Sequence, residues 1–214
     1  MPANRRQVVS AIGLGGLMLP ALARAATMPA TPMQTLGPFY PVTRPGDQDV
    51  DLTMLEGHTT RALGEVIEVS GRTLYTDGTS AAGVVLDLWQ ANAAGRYDNL
   101  LDTSGLPLDP NFQGSALLTT GADGTWRVTT ILPGSYPIPG SGMSRTRHIH
   151  FTARSKYGLI STQMYFPGEP LNQSDILLGQ MPAGAGALLT SHAAGKRADG
   201  IARYTWDVVL DRAG

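Results

Sequence analysis

The chain of 214 residues carries 16 basic side chains against 17 acidic ones and contains no cysteine. A balance so close to neutral argues against a nucleic-acid partner, which calls for concentrated positive charge. Without thiols the fold must hold together with no disulfides, and any metal site must be made from oxygen and nitrogen donors.

Residues 1–25 do not read as part of a fold. Arg5 and Arg6 form a positive start, residues 8–22 are an apolar stretch broken by glycines, and Ala23-Arg24-Ala25 supplies a small-x-small cleavage site. These are the three parts of a secretory signal peptide. The stretch falls short of the roughly 20 apolar residues of a membrane span, so no stable membrane anchor is expected. The paired arginines fit the twin-arginine route, with an ordinary Sec signal as the alternative. Either way the chain is expected to be exported, to the periplasm or beyond. Removing the three basic residues of this leader leaves 13 against 17, a net charge of −4.

Residues 26–60 read as an N-terminal arm, because five prolines from Pro29 to Pro45 favour extended chain over helix. Strand-like runs follow over 66–74, 83–91, 115–120, 125–131, 148–154, 159–166 and 204–210. Asp77-Gly78, Asp123-Gly124 and Tyr157-Gly158 mark turns between them. The one helix candidate of any length covers 174–194, and its glycines weaken it. Short strands without βα alternation predict a mainly β, single-domain β-sandwich over 61–214. Its long loops, 92–114 and 132–146, are where function is expected.

The sharpest local pattern is Arg145-Thr-Arg-His-Ile-His-Phe151. Alternation along a strand puts His148 and His150 on one face and Ile149 and Phe151 on the other. Imidazoles about 7 Å apart along a strand can close on one metal ion, although such pairs also pack simply as hydrogen-bonded histidines. If Arg154 pairs with Leu159 across the Tyr157-Gly158 turn, Gln163 faces His150 and Tyr165 faces His148. Alternation turns Arg145 and Arg147 away from the histidines. Arg145 reaches them only if the strand begins after it, and an ordinary ion-paired role is expected for Arg147. Tyr97, in Gly95-Arg-Tyr-Asp98, and Tyr136, flanked by Pro133 and Pro137, occupy constrained loops. Either reads as a packed aromatic or as a phenolate donor.

Six segments extend this pattern. They are Gln34-Thr-Leu-Gly-Pro-Phe-Tyr-Pro41, Leu88-Trp-Gln-Ala-Asn-Ala-Ala-Gly-Arg-Tyr-Asp98, Leu108-Asp-Pro-Asn-Phe-Gln-Gly114, Thr130-Ile-Leu-Pro-Gly-Ser-Tyr-Pro137, Arg145 to Phe151, and Thr162-Gln-Met-Tyr-Phe166. In this order the chain resembles the intradiol ring-cleavage dioxygenases, of the protocatechuate 3,4-dioxygenase type. The resemblance implies a non-haem Fe(3+) held by Tyr97, Tyr136, His148 and His150. It implies a cavity lined by Arg145 and Gln163, with Thr35, Gly37 and Pro38 of the arm nearby. Tyr136 is then a ligand that leaves on substrate binding and takes up a proton, and Arg145 stabilises charge on the ring. The expected substrates are O2 and a small aromatic diol, such as protocatechuate, catechol or hydroxyquinol, opened to a dicarboxylate. Carrying the arm motif and the full ligand set on one chain fits a monomer or a homo-oligomer. Gly114-Ser-Ala-Leu-Leu and Gly121-Ala-Asp-Gly124 depart from the family pattern, which bears on substrate identity and subunit contacts rather than on iron. Two rival readings remain: a transthyretin-like binding module without catalysis, and a zinc or copper enzyme on the His-x-His pair.

Overall fold

A computed structural model describes residues 27–44, 46–138 and 140–212, so the leader expected at 1–25 lies outside the described residues. The predicted runs fold as β1 Val66–Tyr75, β2 Val85–Trp89, β3 Ser115–Thr119 and β4 Thr125–Ile131. After two short pieces, β5 Tyr136–Pro137 and β6 Ser144–Arg145, come β7 His148–Ser155 and β8 Gly158–Tyr165. The chain ends in β9 His192–Lys196, β10 Ala202–Thr205 and β11 Val208–Leu210.

These strands build two facing sheets. One has the order β3-β2-β7-β8, all antiparallel. The other is centred on β1, which pairs antiparallel with β4 and parallel with β10 and then β11. Between the sheets lies the apolar core, with Ile67 and Val69 of β1, Leu86 and Leu88 of β2, and Ile149 and Phe151 of β7. The Phe151 ring meets Trp126 and Trp206 at centroid distances of 5.4 and 5.1 Å. The fold is thus the expected β-sandwich. Among the described residues no helix is long and apolar enough to cross a membrane.

Two expectations are corrected. The helix over 174–194 does not form: within it only α1, Ala185–Leu189, is helical, and β9 begins inside the same stretch. Gly184 precedes α1 at a φ of 83°, in the left-handed region that ends helical continuity, and Gly179 lies where a Cβ would come within 2.6 Å of the Gln173 carbonyl. The run 204–210 is two strands rather than one, because the chain steps outward at Trp206-Asp207. Gly71 of β1 makes room for that step, since a Cβ there would lie 1.7 Å from the Trp206 carbonyl oxygen. The ladder is bridged across the gap by Trp206 N–H to the Ser70 carbonyl at 2.9 Å and Arg72 N–H to Asp207 Oδ1 at 2.8 Å.

The proline-rich segment runs extended over both sheets. Thr31 N–H donates to the Val209 carbonyl at 2.9 Å, and Gln34 N–H to that of Ser161 at 2.8 Å. It thereby carries Gly37, Pro38 and Phe39 to the end of the sandwich where β7 begins.

Candidate active site

β7 and β8 pair with Arg154 opposite Leu159, so His150 faces Gln163 and His148 faces Tyr165, as the alternation argument requires. Both imidazoles are buried, and their Nε2 atoms stand 3.2 Å apart. Trp89, opposite His150 on β2, stacks on it at 4.8 Å with planes only 7° apart and holds the ring in place. His148 Nδ1 lies 2.6 Å from the Thr146 carbonyl. A carbonyl only accepts, so Nδ1 carries the proton and Nε2 turns a lone pair inward.

Tyr97 brings its hydroxyl to 3.4 Å from His148 Nε2. Its loop is shaped by Asn92, whose Oδ1 accepts from Ala94 and Arg96 N–H at 2.9 Å each, and by Asp102, which accepts Tyr97 N–H at 2.8 Å. Phe39 of the arm stacks on the Tyr97 ring at 4.6 Å. Tyr136 crosses Tyr97 edge-on at 5.4 Å. Two glycines let the tyrosine loops touch: a Cβ on Gly95 would fall 2.3 Å from the Ser135 carbonyl, and one on Gly134 would fall 2.4 Å from Gly95 N. Tyr136 pairs with Arg145 across β5 and β6, and this short ladder sets Arg145 Nη1 3.5 Å from the Tyr136 hydroxyl.

Because β7 begins only at His148, Arg145 is free to turn inward, while Arg147 pairs with Glu169 at 3.2 Å. Arg145 Nε donates to Asp175 at 2.8 Å, and Nη2 donates to Gln163 Oε1 at 2.7 Å and to the Tyr165 hydroxyl at 3.2 Å. Tyr165, although its ring faces His148, directs its hydroxyl to Gln34 Oε1 at 2.8 Å. Burial pulls the Asp175 carboxyl upward, but hydrogen bonding to Arg145 and its charge hold it below the usual range. Asp175, hidden in the sequence inside an apparent helix, is thus the counter-ion of the site.

A cavity of about 360 Å³ opens beside these groups, lined by Thr35, Gly37 and Pro38 together with Tyr136 and Arg145. Gln163, expected on that lining, stands one layer back: it is fully buried, and its amide nitrogen donates to the Thr35 carbonyl at 3.2 Å. Gly37, at a φ of 75°, lies so close to His150 that a Cβ would come within 3.2 Å of Cε1.

Burial and the Arg145 charge push His148 down to about 3, and burial with the neighbouring His148 and Arg145 pushes His150 well down. Both are therefore neutral at pH 7. Burial raises both phenols, Tyr97 further, while Arg145 pulls Tyr136 back toward ionisation. Among the described residues no three His, Cys, Asp or Glu stand together. A metal here must therefore take the tyrosine oxygens beside the two imidazoles. Two neutral nitrogens and two hard oxygens suit a hard trivalent iron better than a soft ion.

The same burial has a consequence for the metal-free protein. Between pH 6.5 and the lowered His148 value of about 3, the unfolded chain binds more protons than the folded one, so stability falls with acidification. The expected slope is about 1.4 kcal/mol per pH unit for each histidine. Urea unfolding between pH 7.5 and 5 checks this, and an unchanged midpoint across that range would refute it.

The β-sandwich thus gathers two buried imidazoles and two buried phenols at one end, with Tyr136 and Arg145 on the wall of the adjoining cavity. The family model described as Dioxygenase matches residues 36–212. The protocatechuate 3,4-dioxygenase beta chain of Burkholderia cepacia is 37% identical over 197 residues, covering 87% of this chain and 84% of that one. Hydroxyquinol 1,2-dioxygenase of Rhizobium sp. is 30% identical over 163 residues, and there the chain spans only 52% of the relative. Among solved structures, the dioxygenase domain of a carbohydrate-binding fusion protein from Streptomyces sp. SirexAA-E superposes with a TM-score of 0.64 at 33% identity. That match covers 86% of this chain and 99% of the other. The 3-chlorocatechol 1,2-dioxygenase of Rhodococcus opacus 1CP shares the fold, with a TM-score of 0.68 at 22% identity, over 87% of this chain and 75% of that one. The chain belongs to the intradiol ring-cleavage dioxygenase family and is of the protocatechuate 3,4-dioxygenase type. Family membership favours the dioxygenase over the binding module and over a zinc or copper enzyme.

Proposed function

We propose that the chain is an exported non-haem iron(III) dioxygenase that opens a catechol-type ring between its two hydroxyl-bearing carbons. Both atoms of O2 enter the product, a ring-opened dicarboxylate. The observation that carries this reading is the convergence on His148 Nε2 of His150 Nε2 at 3.2 Å and the Tyr97 hydroxyl at 3.4 Å, with the Tyr136 ring packed edge-on against Tyr97. Tyr97, Tyr136, His148 and His150 would hold the iron. When bound, Fe(III) supplies Lewis-acid activation of the diol toward oxygen.

The residues around it divide the remaining work. Tyr136 lines the cavity and lies beside Arg145, so its oxygen, as the phenolate that a bound Fe(III) would hold, is well placed to accept a substrate hydroxyl proton. Arg145 Nη1, close to that same oxygen, offers positive charge where negative charge develops on the opening ring, from a side chain that is itself buried. Gln163 and Asp175 act through Arg145 by fixing its orientation. Thr146 fixes the His148 tautomer, and Phe39 walls off the Tyr97 ring.

The test is oxygen uptake with catechol, identification of the product, and metal analysis of the purified protein. One iron per chain, a red colour from phenolate-to-iron charge transfer and a cis,cis-dicarboxylate are expected. A colourless active protein holding stoichiometric zinc would overturn the iron assignment.

A further inference from the structure

The cavity is apolar apart from the edge that carries the chemistry. Besides the arm and Tyr136, its walls are Ile138, Ile176 and Leu177, and among the described residues on its lining the one charged side chain is Arg145. That cation is already matched. Its Nε is paired with Asp175 at 2.8 Å, its Nη2 serves Gln163 and Tyr165, and its Nη1 faces the Tyr136 hydroxyl. The Thr35 hydroxyl accepts Gly37 N–H at 3.2 Å. Asp175 also accepts Leu177 N–H at 2.9 Å and Leu178 N–H at 3.0 Å through its second oxygen. One buried carboxylate therefore neutralises the cation and anchors the apolar wall beside it.

With its diol at the Tyr136 and Arg145 edge, a substrate ring would direct a carboxylate against the wall of Ile138, Ile176 and Leu177, where no cationic side chain among the described residues lines the cavity. Water given up by a carboxylate against hydrocarbon, with no cation in return, is a cost that an uncharged substituent does not meet. Size points the same way: about 150 Å³ already accommodates a benzene ring, whereas this cavity offers about 360 Å³. The surplus volume faces hydrocarbon.

Resting on the ring-cleavage reading above, we propose that the site selects uncharged catechols bearing an apolar ring substituent, and discriminates against ring-carboxylated diols such as protocatechuate. Ile138, Ile176 and Leu177 are the residues that set this preference. An alkyl group on the ring fills the apolar volume, while a carboxylate leaves it unpaired.

The experiment compares 4-ethylcatechol, catechol and protocatechuate on the iron-loaded protein. Two readouts are taken: kcat/KM for ring opening, and equilibrium binding under nitrogen followed by tryptophan fluorescence, since Trp89 stacks on His150. 4-Ethylcatechol is expected to match or exceed catechol, and protocatechuate to fall about 100-fold or more below both, the scale on which pockets discriminate by polarity. A Leu177→Lys variant, which adds a cation to the wall, should move the ratio at least about tenfold toward protocatechuate, a modest share of that same scale. If protocatechuate binds or reacts as well as 4-ethylcatechol in the parent protein, the inference is overturned. If no diol is opened while binding still favours the uncharged diols, the cleavage reading fails and the selectivity stands.

Discussion

Tyr136→Phe is expected to retain most of its iron while losing about 10²- to 10⁴-fold in kcat/KM on catechol, the range associated with a positioned acid or base. Tyr97→Phe is expected to show the opposite balance, with poor iron retention as its main defect. The two phenols differ in their surroundings, which is the reason for the split. Tyr136 lines the cavity and has Arg145 Nη1 at 3.5 Å, so burial raises its hydroxyl but the guanidinium draws it back toward ionisation. Tyr97 is 2% exposed, stacked under Phe39 and fixed through its backbone by Asp102, with its hydroxyl toward His148. A proton from the substrate can reach the first and not the second. Removing the Tyr136 hydroxyl therefore slows diol binding, whereas removing that of Tyr97 strips a donor that nothing else on its side replaces. Iron per chain, the anaerobic rate of catechol binding and turnover distinguish them. If Tyr136→Phe binds catechol at the parental rate while Tyr97→Phe is slow, the roles are exchanged.

The histidine face could be read from the sequence because everything that fixes it is local. Period-two alternation from His148 and a turn at Tyr157-Gly158 leave one register that buries Ile149 and Phe151, and β7 and β8 adopt it. The inward turn of Arg145 depended on where β7 begins, which alternation could not decide; the break at Thr146-Arg147 decides it. Asp175 was out of reach. It lies 30 positions from Arg145, in a stretch whose apolar spacing imitates a helix, and no local pattern links the two. β9 was missed because its sequence, His-Ala-Ala-Gly-Lys, lacks the branched and aromatic residues that signal strands, and it is held by pairing with β10. Gly95 and Gly134 stood in quoted motifs, yet their role, letting two tyrosine loops touch, appears only when the loops are seen together. Phe39 had a signal too, as the aromatic that follows Gly37-Pro38.

The Arg145–Asp175 pair should separate stability from catalysis. With side chains only 7% and 0% exposed, each charge relies on the other. Asp175→Asn keeps the shape of the side chain and one oxygen for the Leu177 and Leu178 N–H groups, but it leaves the guanidinium buried without a counter-ion. The expected loss is about 3–5 kcal/mol of unfolding free energy. Arg145→Met removes the cation and strands the carboxylate, although Asp175 keeps the Thr146, Leu177 and Leu178 N–H donors, so its loss should be smaller. In the double variant neither charge remains. Its loss should be far smaller than the sum of the single losses, because removing both members of a buried pair is often close to neutral. Activity should not follow. Asp175→Asn still presents a guanidinium held by Gln163 and Tyr165 and should keep measurable turnover at low temperature. Arg145→Met and the double variant should both fall about 10²- to 10³-fold, the effect of losing one preorganised donor to developing negative charge. Urea unfolding and kcat/KM on catechol for the four proteins test this. Stability losses that add to within about 0.5 kcal/mol would show that the two charges do not act as a pair. Parental turnover in Arg145→Met would remove Arg145 from the reaction.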